Sequence, residues 1–203
     1  MTRKPQQARS RATVDAIVEA GLIVLAREGP ENVTTRKIAS VAGVGVGSLY
    51  EYFDNREAVY GAMFGRITKD AVARIRPLIP ALVELPIRDG IIRLLDAVRA
   101  LLEENDGRYL YCLRHGMNLT RHYKLRPLER VLNELMMQYV LRHPELMRAT
   151  NLAAMSYIFI YGGTFTLIHH LSDPESALGF DELAEGLADM VTSYMEKSAG
   201  MSL

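Results

Sequence analysis

The sequence predicts an all-α protein. Through most of its 203 residues, apolar side chains recur three and four positions apart, the spacing that gives a helix one buried face. Glycine and proline stand between these segments, where they end helices, and no stretch alternates convincingly as a strand. We expect about nine or ten helices, arranged as an N-terminal three-helix helix-turn-helix domain and a C-terminal helical domain.

Composition and charge narrow the functional classes. Cys112 is the only cysteine, so an internal disulfide is impossible and a reducing cytoplasm fits. The basic N-terminal segment lacks the apolar core of a secretion signal. The formal net charge is zero, but four basic residues precede the first acid: Arg3, Lys4, Arg9 and Arg11. Near the C-terminus, Lys197 alone accompanies seven acids: Asp173, Glu175, Asp181, Glu182, Glu185, Asp189 and Glu196. A neutral chain with this asymmetry can present a positive face to DNA.

The first helix is expected to start at Ser10, whose hydroxyl can cap it, after a basic and flexible arm of residues 1–9. Apolar residues at helical spacing follow. Gly29 and Pro30 end the helix, the glycine by adopting a left-handed conformation and the proline because it cannot continue a helix.

Residues 34–54 carry two short helices joined by a tight turn, which is the helix-turn-helix pattern. Thr34 or Thr35 can cap the first helix through its hydroxyl, and Gly43 can close it in the left-handed conformation. The second helix, residues 46–52, has small side chains in front and tyrosines behind, so its tip can approach base edges in a major groove. Leu49 and Phe53, four positions apart, are expected to point inward.

A long connecting helix is predicted over residues 57–76, capped by Asp54 or Asn55 and ended by Pro77. Arg56 stands at the start of this helix, where the helix dipole disfavours a cation. We therefore expect Arg56 to meet an external anion.

The C-terminal helical domain is predicted over residues 77–198, before a tail of residues 199–203. Its first long helix starts at Pro86 and ends at Asn105-Asp106-Gly107. The remaining helices are expected over residues 108–122, 127–142, 151–171 and 180–197.

The segment Leu152–Ile168 is apolar almost all round. A membrane span needs about 20 such residues, and this segment is interrupted by polar and glycine residues such as Ser156 and Gly162-Gly163. We expect instead a helix that is buried on all sides in a soluble body.

Several short fragments at fixed spacing carry a family resemblance. They are Ile38-Ala39 after Thr34 or Thr35, Ala42-Gly43-Val44, Gly47-Ser48-Leu49-Tyr50, Tyr52-Phe53, and Arg56. Together they resemble the TetR family of one-component transcriptional regulators, over roughly Ser10 to Phe64. Three positions depart from the family pattern. Gly45 stands where Ser is usual, Val46 where Pro or a polar residue is common, and Arg56 where Lys is usual.

The resemblance implies that residues 10–56 form a domain that binds double-stranded DNA. The implied contact residues are Thr34, Thr35, Arg36, Gly45, Val46, Gly47, Ser48, Tyr50, Tyr52 and Arg56. Arginine most often reads guanine, which makes Arg36 the expected base contact, whereas the tyrosines are expected at phosphates. Gly45 weakens the cap of the second helix, Val46 makes base readout more apolar, and Arg56 preserves phosphate binding.

The resemblance also implies a cavity for a small inducer and a dimer. Adaptable and amphipathic side chains of the middle helices suit a mainly apolar cavity: Tyr109, Cys112, His115, Met136, Tyr139, Tyr161 and Phe165. The last two long helices of the family form a four-helix bundle across a twofold axis. The candidate interface residues are Ala153, Ala154, Tyr157, Gly162, Gly163, Leu187 and Met190.

We expect no metal, cofactor or catalytic residue. Cys112 and His115 are three positions apart, but no second pair stands at ligand spacing, and a structural zinc needs four ligands. A nucleophilic Cys112 would need a positioned base.

The predicted protein is thus a cytoplasmic homodimeric regulator, a repressor released from a near-palindromic operator by a small apolar or amphipathic effector. Three alternatives stay open. They are a transcriptional activator of the same fold, a helical protein-binding dimer with a vestigial DNA-binding unit, and a small helical enzyme that uses Cys112 or His115.

Overall fold

The computed structural model describes residues 4–116, 125–149, 151–173 and 175–200, which form helices and turns and contain no strand. The predicted all-α class is confirmed. The helices are α1 (Lys4–Glu28), α2 (Thr35–Ala42), α3 (Val46–Tyr50), α4 (Arg56–Ile75), α5 (Ile79–Leu82), α6 (Ile87–Gly116), α7 (Arg126–Arg142), α8 (Leu152–Tyr157), α9 (Gly163–Ser172) and α10 (Phe180–Ser198). Short 3-10 turns follow α1, α4 and α7, and a π-turn joins α8 to α9.

Helix α1 begins at Lys4, well before Ser10, where the sequence analysis places its start. Pro5 is tolerated in the first helical turn, where backbone N–H groups lack intrahelical partners, and the residues up to Ser10 include good helix formers. The predicted end is confirmed. Gly29 adopts a φ of 78°, and its N–H donates to the Leu25 carbonyl at 3.0 Å.

The chain divides into two compact units, and α4 and α6 contribute residues to both. The first unit comprises the described residues of Met1–Ile67 and Leu102–Lys124. Its nearly inaccessible core residues are Ile17, Leu22, Leu25, Ile38, Leu49, Val59, Tyr60, Met63 and Cys112. Gly21 lies at the crossing of α1 and α4, where an added Cβ would approach Met63 Sδ to 2.8 Å. Close helix packing therefore requires a small residue there.

Helix α6 continues through the position where the sequence analysis predicts an end. The predicted turn is retained as two left-handed residues, Asp106 with a φ of 61° and Gly107 with a φ of 66°. Glycine adopts this conformation freely, and aspartate is one of the few other residues that tolerate it. The part of the predicted 108–122 helix beyond Gly116 lies outside the described residues.

The second unit comprises the described residues of Thr68–Leu101 and Leu125–Leu203 and has two apolar clusters. One is built on Ile75, Ile79, Val83 and Val131, and the other on Leu146, Met155 and Met195. Tyr139 packs against both clusters. Its hydroxyl donates to the Leu85 carbonyl at 2.9 Å, and its ring stacks on His143 with centroids 4.3 Å apart. Tyr139 therefore links the two clusters, and its hydroxyl is hydrogen-bonded.

The α8–α9 segment is not buried on all sides, contrary to the sequence-based expectation. Phe165 is 68% exposed, and Tyr157 and Ile158 are also largely exposed, whereas Met155 and Ile160 face the core. Residues Leu152–Leu171 are long and apolar enough to cross a membrane by length and composition. The apolar pattern arises because two faces of the α8–α9 segment are hydrophobic. The described residues of this chain cover only one of these faces.

Two tyrosine hydroxyls whose pKa is raised by burial predict opposite effects on stability. Burial raises the pKa of Tyr60 to about 12 and that of Tyr139 to about 12, but Tyr60 Oη has no hydrogen-bond partner among the described residues. An unsatisfied buried polar group destabilises a protein by about 1–3 kcal/mol. We therefore expect Tyr60→Phe to raise the free energy of unfolding, measured by urea denaturation.

Tyr139→Phe is the matched control, because it removes a hydroxyl that donates to the Leu85 carbonyl. It should lower the free energy of unfolding by about 1 kcal/mol. A loss of stability of the same size in both variants would contradict the prediction for Tyr60.

Candidate nucleic-acid interface

The start of helix α2 is held by a threonine cap. The Thr34 hydroxyl accepts a hydrogen bond from the Lys37 backbone N–H at 3.2 Å, which confirms the first of the two capping residues considered in the sequence. Lys37 also pairs with Glu28 at the end of α1, with Nζ 2.6 Å from Oε2. This arrangement leaves Thr35 and Arg36 in the first helical turn, with Arg36 exposed.

The turn between α2 and α3 requires glycine. Gly43 adopts φ 67° and ψ 29°, the predicted left-handed conformation, and its N–H donates to the carbonyls of Ala39 and Ser40. The Val44 N–H also donates to the Ala39 carbonyl, at 3.0 Å. Because most side chains are strained at such a φ, Gly43 sets the direction in which α3 leaves α2.

Helix α3 has one buried side and one open side. Leu49 is fully buried and Phe53, just beyond the helix, is nearly so, as predicted. The N-cap residue Gly45 makes no side-chain hydrogen bond, so the predicted weak cap is confirmed. On the open side, Val46 and Tyr50 are exposed. The helix thus presents a small tip and a tyrosine to solvent.

A hydrogen bond joins the two motif helices on their exposed side. The hydroxyl oxygens of Thr35 and Tyr50 lie 3.1 Å apart. Both residues are predicted DNA contacts, but the sequence does not predict that they contact each other. Fifteen positions separate them, and only the turn geometry brings them together. The bond restricts where the Tyr50 hydroxyl can point.

Helix α4 begins at Arg56 and is capped by Asn55, whose Oδ1 accepts from the Ala58 N–H at 2.8 Å. Arg56 is half-buried. Its Nη1 donates to the Val33 carbonyl at 3.4 Å, and its Nε lies 3.6 Å from Glu57. Arg56 therefore ties α4 to the segment just before α2, a role that the sequence pattern did not reveal.

The seven residues predicted to bind a ligand are divided between the two units. Tyr109, Cys112 and His115 lie on α6 in the first unit, and Met136, Tyr139, Tyr161 and Phe165 lie in the second. Burial raises the pKa of the Cys112 thiol to about 12, which makes it a poor nucleophile near neutral pH. The Tyr161 hydroxyl donates to Glu129 at 3.0 Å, which raises the pKa of Tyr161. The ligand assignment stays a prediction.

Most residues predicted at a dimer interface are accessible in the single chain. The exposed ones are Ala153, Ala154, Tyr157, Gly162 and Met190, and the partly buried ones are Gly163 and Leu187. In the part of the chain that the structure describes, no three His, Cys, Asp or Glu residues are grouped as a metal site would require.

The geometry of α2, Gly43 and α3 is accompanied by a direct sequence match. Residues 17–63 match the family model described as bacterial regulatory proteins, tetR family, and this range contains the whole motif. This segment is a DNA-binding domain of the TetR family type. The chain is a DNA-binding transcriptional regulator of the helix-turn-helix class, as the sequence analysis predicted. No sequence among the curated proteins matches this chain.

Solved structures show the same fold over nearly the whole chain. The fatty acid degradation regulator FadR from Bacillus halodurans is 17% identical, covers 95% of this chain and 97% of its own, and has a TM-score of 0.65. A tetR-family regulator from Streptomyces coelicolor is 18% identical, with coverages of 95% and 84% and a TM-score of 0.63. The repressor AlkX from a Dietzia strain, implicated in biodegradation of n-alkanes, is 19% identical, with coverages of 92% and 96% and a TM-score of 0.56.

The contact between Thr35 and Tyr50 predicts that these residues act together in DNA binding. Thr35→Val and Tyr50→Phe should each weaken binding to duplex DNA, because each removes one hydroxyl of the pair. Combined, they should weaken it by less than the sum, with a coupling free energy of about 0.5–1.5 kcal/mol. Fluorescence anisotropy with labelled duplexes measures all four affinities.

The control cycle combines Thr35→Val with Tyr52→Phe, since Tyr52 lies beyond the end of α3 and Thr35 is bonded to Tyr50 instead. The effects of those two changes on the free energy of DNA binding should add. Additive effects in the Thr35 and Tyr50 cycle would mean that the hydrogen bond does not position Tyr50 on DNA.

Proposed function

We propose that this TetR-family regulator is a cytoplasmic homodimeric repressor, released from a near-palindromic operator by a small apolar or amphipathic effector. The observation that carries the proposal is the exposed side of the motif. There, the small tip of α3 and the paired hydroxyls of Thr35 and Tyr50 lie on one accessible surface. That surface has the size and chemistry of a helix that enters a major groove.

The proposed DNA contacts divide into two kinds. Arg36 is exposed and has no ion pair among the described residues, which leaves its guanidinium available for a guanine edge. Tyr50, Tyr52 and Arg56 are proposed to bind phosphates and thereby to fix the register of α3 on the duplex. Thr34, Gly45, Val46, Gly47 and Ser48 complete the proposed contact surface.

Dimerisation is proposed through α8, α9 and α10. Their exposed apolar side chains include Phe165 at 68%, Met190 at 52% and Tyr194 at 47%. Scattered exposed apolar residues are normal, but a set this large on neighbouring helices favours burial against a partner. A twofold dimer also fits DNA. The recognition helix is α3, and two copies of it about 34–36 Å apart read two successive turns of a near-palindrome.

The proposed effector is apolar or amphipathic. The middle helices carry Met136, Tyr139 and the α6 residues Tyr109 and Cys112, which are adaptable or weakly polar side chains. Among proteins of the same fold, FadR is a fatty acid degradation regulator and AlkX is implicated in biodegradation of n-alkanes. Both names point to long aliphatic compounds, and alkanes and fatty acids are therefore the first compounds to test here.

Release is proposed to follow a two-state change. Helix α4 carries Arg56 at its start and contributes residues to both units, so a shift of α4 would move the motif. The effector must bind one arrangement more tightly than the other, since equal affinity shifts no equilibrium. The favoured arrangement is one in which the two recognition helices no longer match successive grooves.

Salt titration of DNA binding distinguishes the proposed phosphate contacts. Arg56→Ala should weaken binding and reduce the steepness of log K against log salt concentration by about 2 for a dimer. Each subunit loses one phosphate contact, and each such contact contributes ~0.9 to the slope through counterion release. Tyr50→Phe should weaken binding without changing the slope, since it removes no charge. Electrophoretic mobility shift with DNA from upstream of the protein's own gene is the measurement.

Arg130→Ala is the control, since Arg130 is an exposed arginine on α7, far along the chain from the motif. Its slope should equal that of the unmodified protein. Binding that is indifferent to DNA sequence and to Arg56→Ala would mean that the motif is only scaffold. The release hypothesis fails separately if no alkane or fatty acid changes operator affinity.

The proposed dimer predicts that charge on its apolar face separates the subunits. Met190→Glu should shift the protein from dimer to monomer in sedimentation velocity, because a carboxylate cannot be buried there without a partner. Met137→Glu is the matched control, as Met137 is 63% exposed on α7 and outside the proposed interface. Equal dissociation in both variants, or in neither, would contradict the assignment.

A further inference from the structure

The tip of the recognition helix carries one side chain. Gly45, Val46 and Gly47 are consecutive and all exposed, and Val46 is the first residue of α3. A Cβ at Gly47 would meet no atom within 4 Å, and one at Gly45 would meet only Ser48 Oγ at 3.9 Å. The space beside the two glycines is therefore open, and Val46 supplies the two γ-methyl groups at the tip.

This tip cannot read bases by side-chain hydrogen bonds. Glycine has no side chain and valine has neither donor nor acceptor, while Ser48, the next residue, is partly buried. Val46 itself is 38% exposed, so its methyl groups are available for an apolar contact. In the major groove, the one apolar group that distinguishes a base is the 5-methyl group of thymine.

We propose that Val46 is a specificity-determining residue that recognises the 5-methyl group of a thymine in each operator half-site. This inference rests on the proposed entry of α3 into the major groove. The flanking glycines allow the helix tip to approach the base edges closely, and the valine then fills the space beside the methyl group. Hydrogen-bond readout is left to residues outside the tip, foremost Arg36.

Deoxyuridine tests the proposal directly, because it differs from thymidine only by the missing 5-methyl group. The operator is first obtained by selecting bound duplexes from a random pool with the full-length protein. Each thymine of the half-site is then replaced by deoxyuridine, symmetrically in both half-sites, and the affinity is measured. Burial of one methyl group corresponds to about fourfold in affinity, so one position should lose about 16-fold when both half-sites are changed.

Val46→Ser completes the thermodynamic cycle. Serine removes both γ-methyl groups, and its helix propensity is about the same as that of valine. In this variant, replacing the sensitive thymine by deoxyuridine should lower the operator affinity by less than about twofold. Val41→Ser is the matched control, since Val41 is 45% exposed on α2, and it should keep the full loss. Circular dichroism melting confirms that both variants are folded.

Two results would overturn the inference while leaving DNA binding intact. One is an operator in which no thymine is sensitive to deoxyuridine. The other is an equal loss in Val46→Ser, which would place the methyl effect in the stiffness or shape of the DNA itself. A selection that enriches no sequence would instead contradict the proposed operator binding, and this inference with it.

Discussion

The recognition helix α3 depends on the burial of Leu49. With five residues, α3 is far shorter than any helix that is stable in water by itself, and Gly45 gives it no side-chain cap. Leu49 is fully inaccessible and Phe53 nearly so. Apolar packing against the first unit therefore supplies the stability that local hydrogen bonds cannot. The exposed tip at Val46 is in place only because its opposite face is anchored in the core.

Two smaller constraints complete the geometry of the motif. Gly43 determines the direction of the chain between α2 and α3 through its left-handed conformation. The Thr35–Tyr50 hydrogen bond then joins the helices across their exposed side. The exposed side of the motif thus carries one hydrogen bond between its helices and is nearly bare at the tip. Such a surface favours close approach and apolar discrimination over a dense set of hydrogen bonds.

The second unit has packed apolar clusters inside and large exposed apolar side chains outside. Tyr139 joins its two apolar clusters and places its own hydroxyl on the Leu85 carbonyl. The α8–α9 segment, by contrast, exposes large apolar side chains such as Phe165. A helix that is hydrophobic on two faces has the composition of a membrane span, and in a DNA-binding regulator the same composition supports the proposed subunit interface.

The sequence by itself determined the helical class, the motif and its buried anchors, because periodicity and glycine or proline placement are local properties. Leu49 and Gly43 were predicted correctly for this reason. The Thr35–Tyr50 contact, the bond from Arg56 to Val33 and the open face of α8–α9 were decided only by the tertiary structure. These features depend on how distant segments meet, and apolar periodicity shows that a face is hydrophobic without showing whether the same chain covers it.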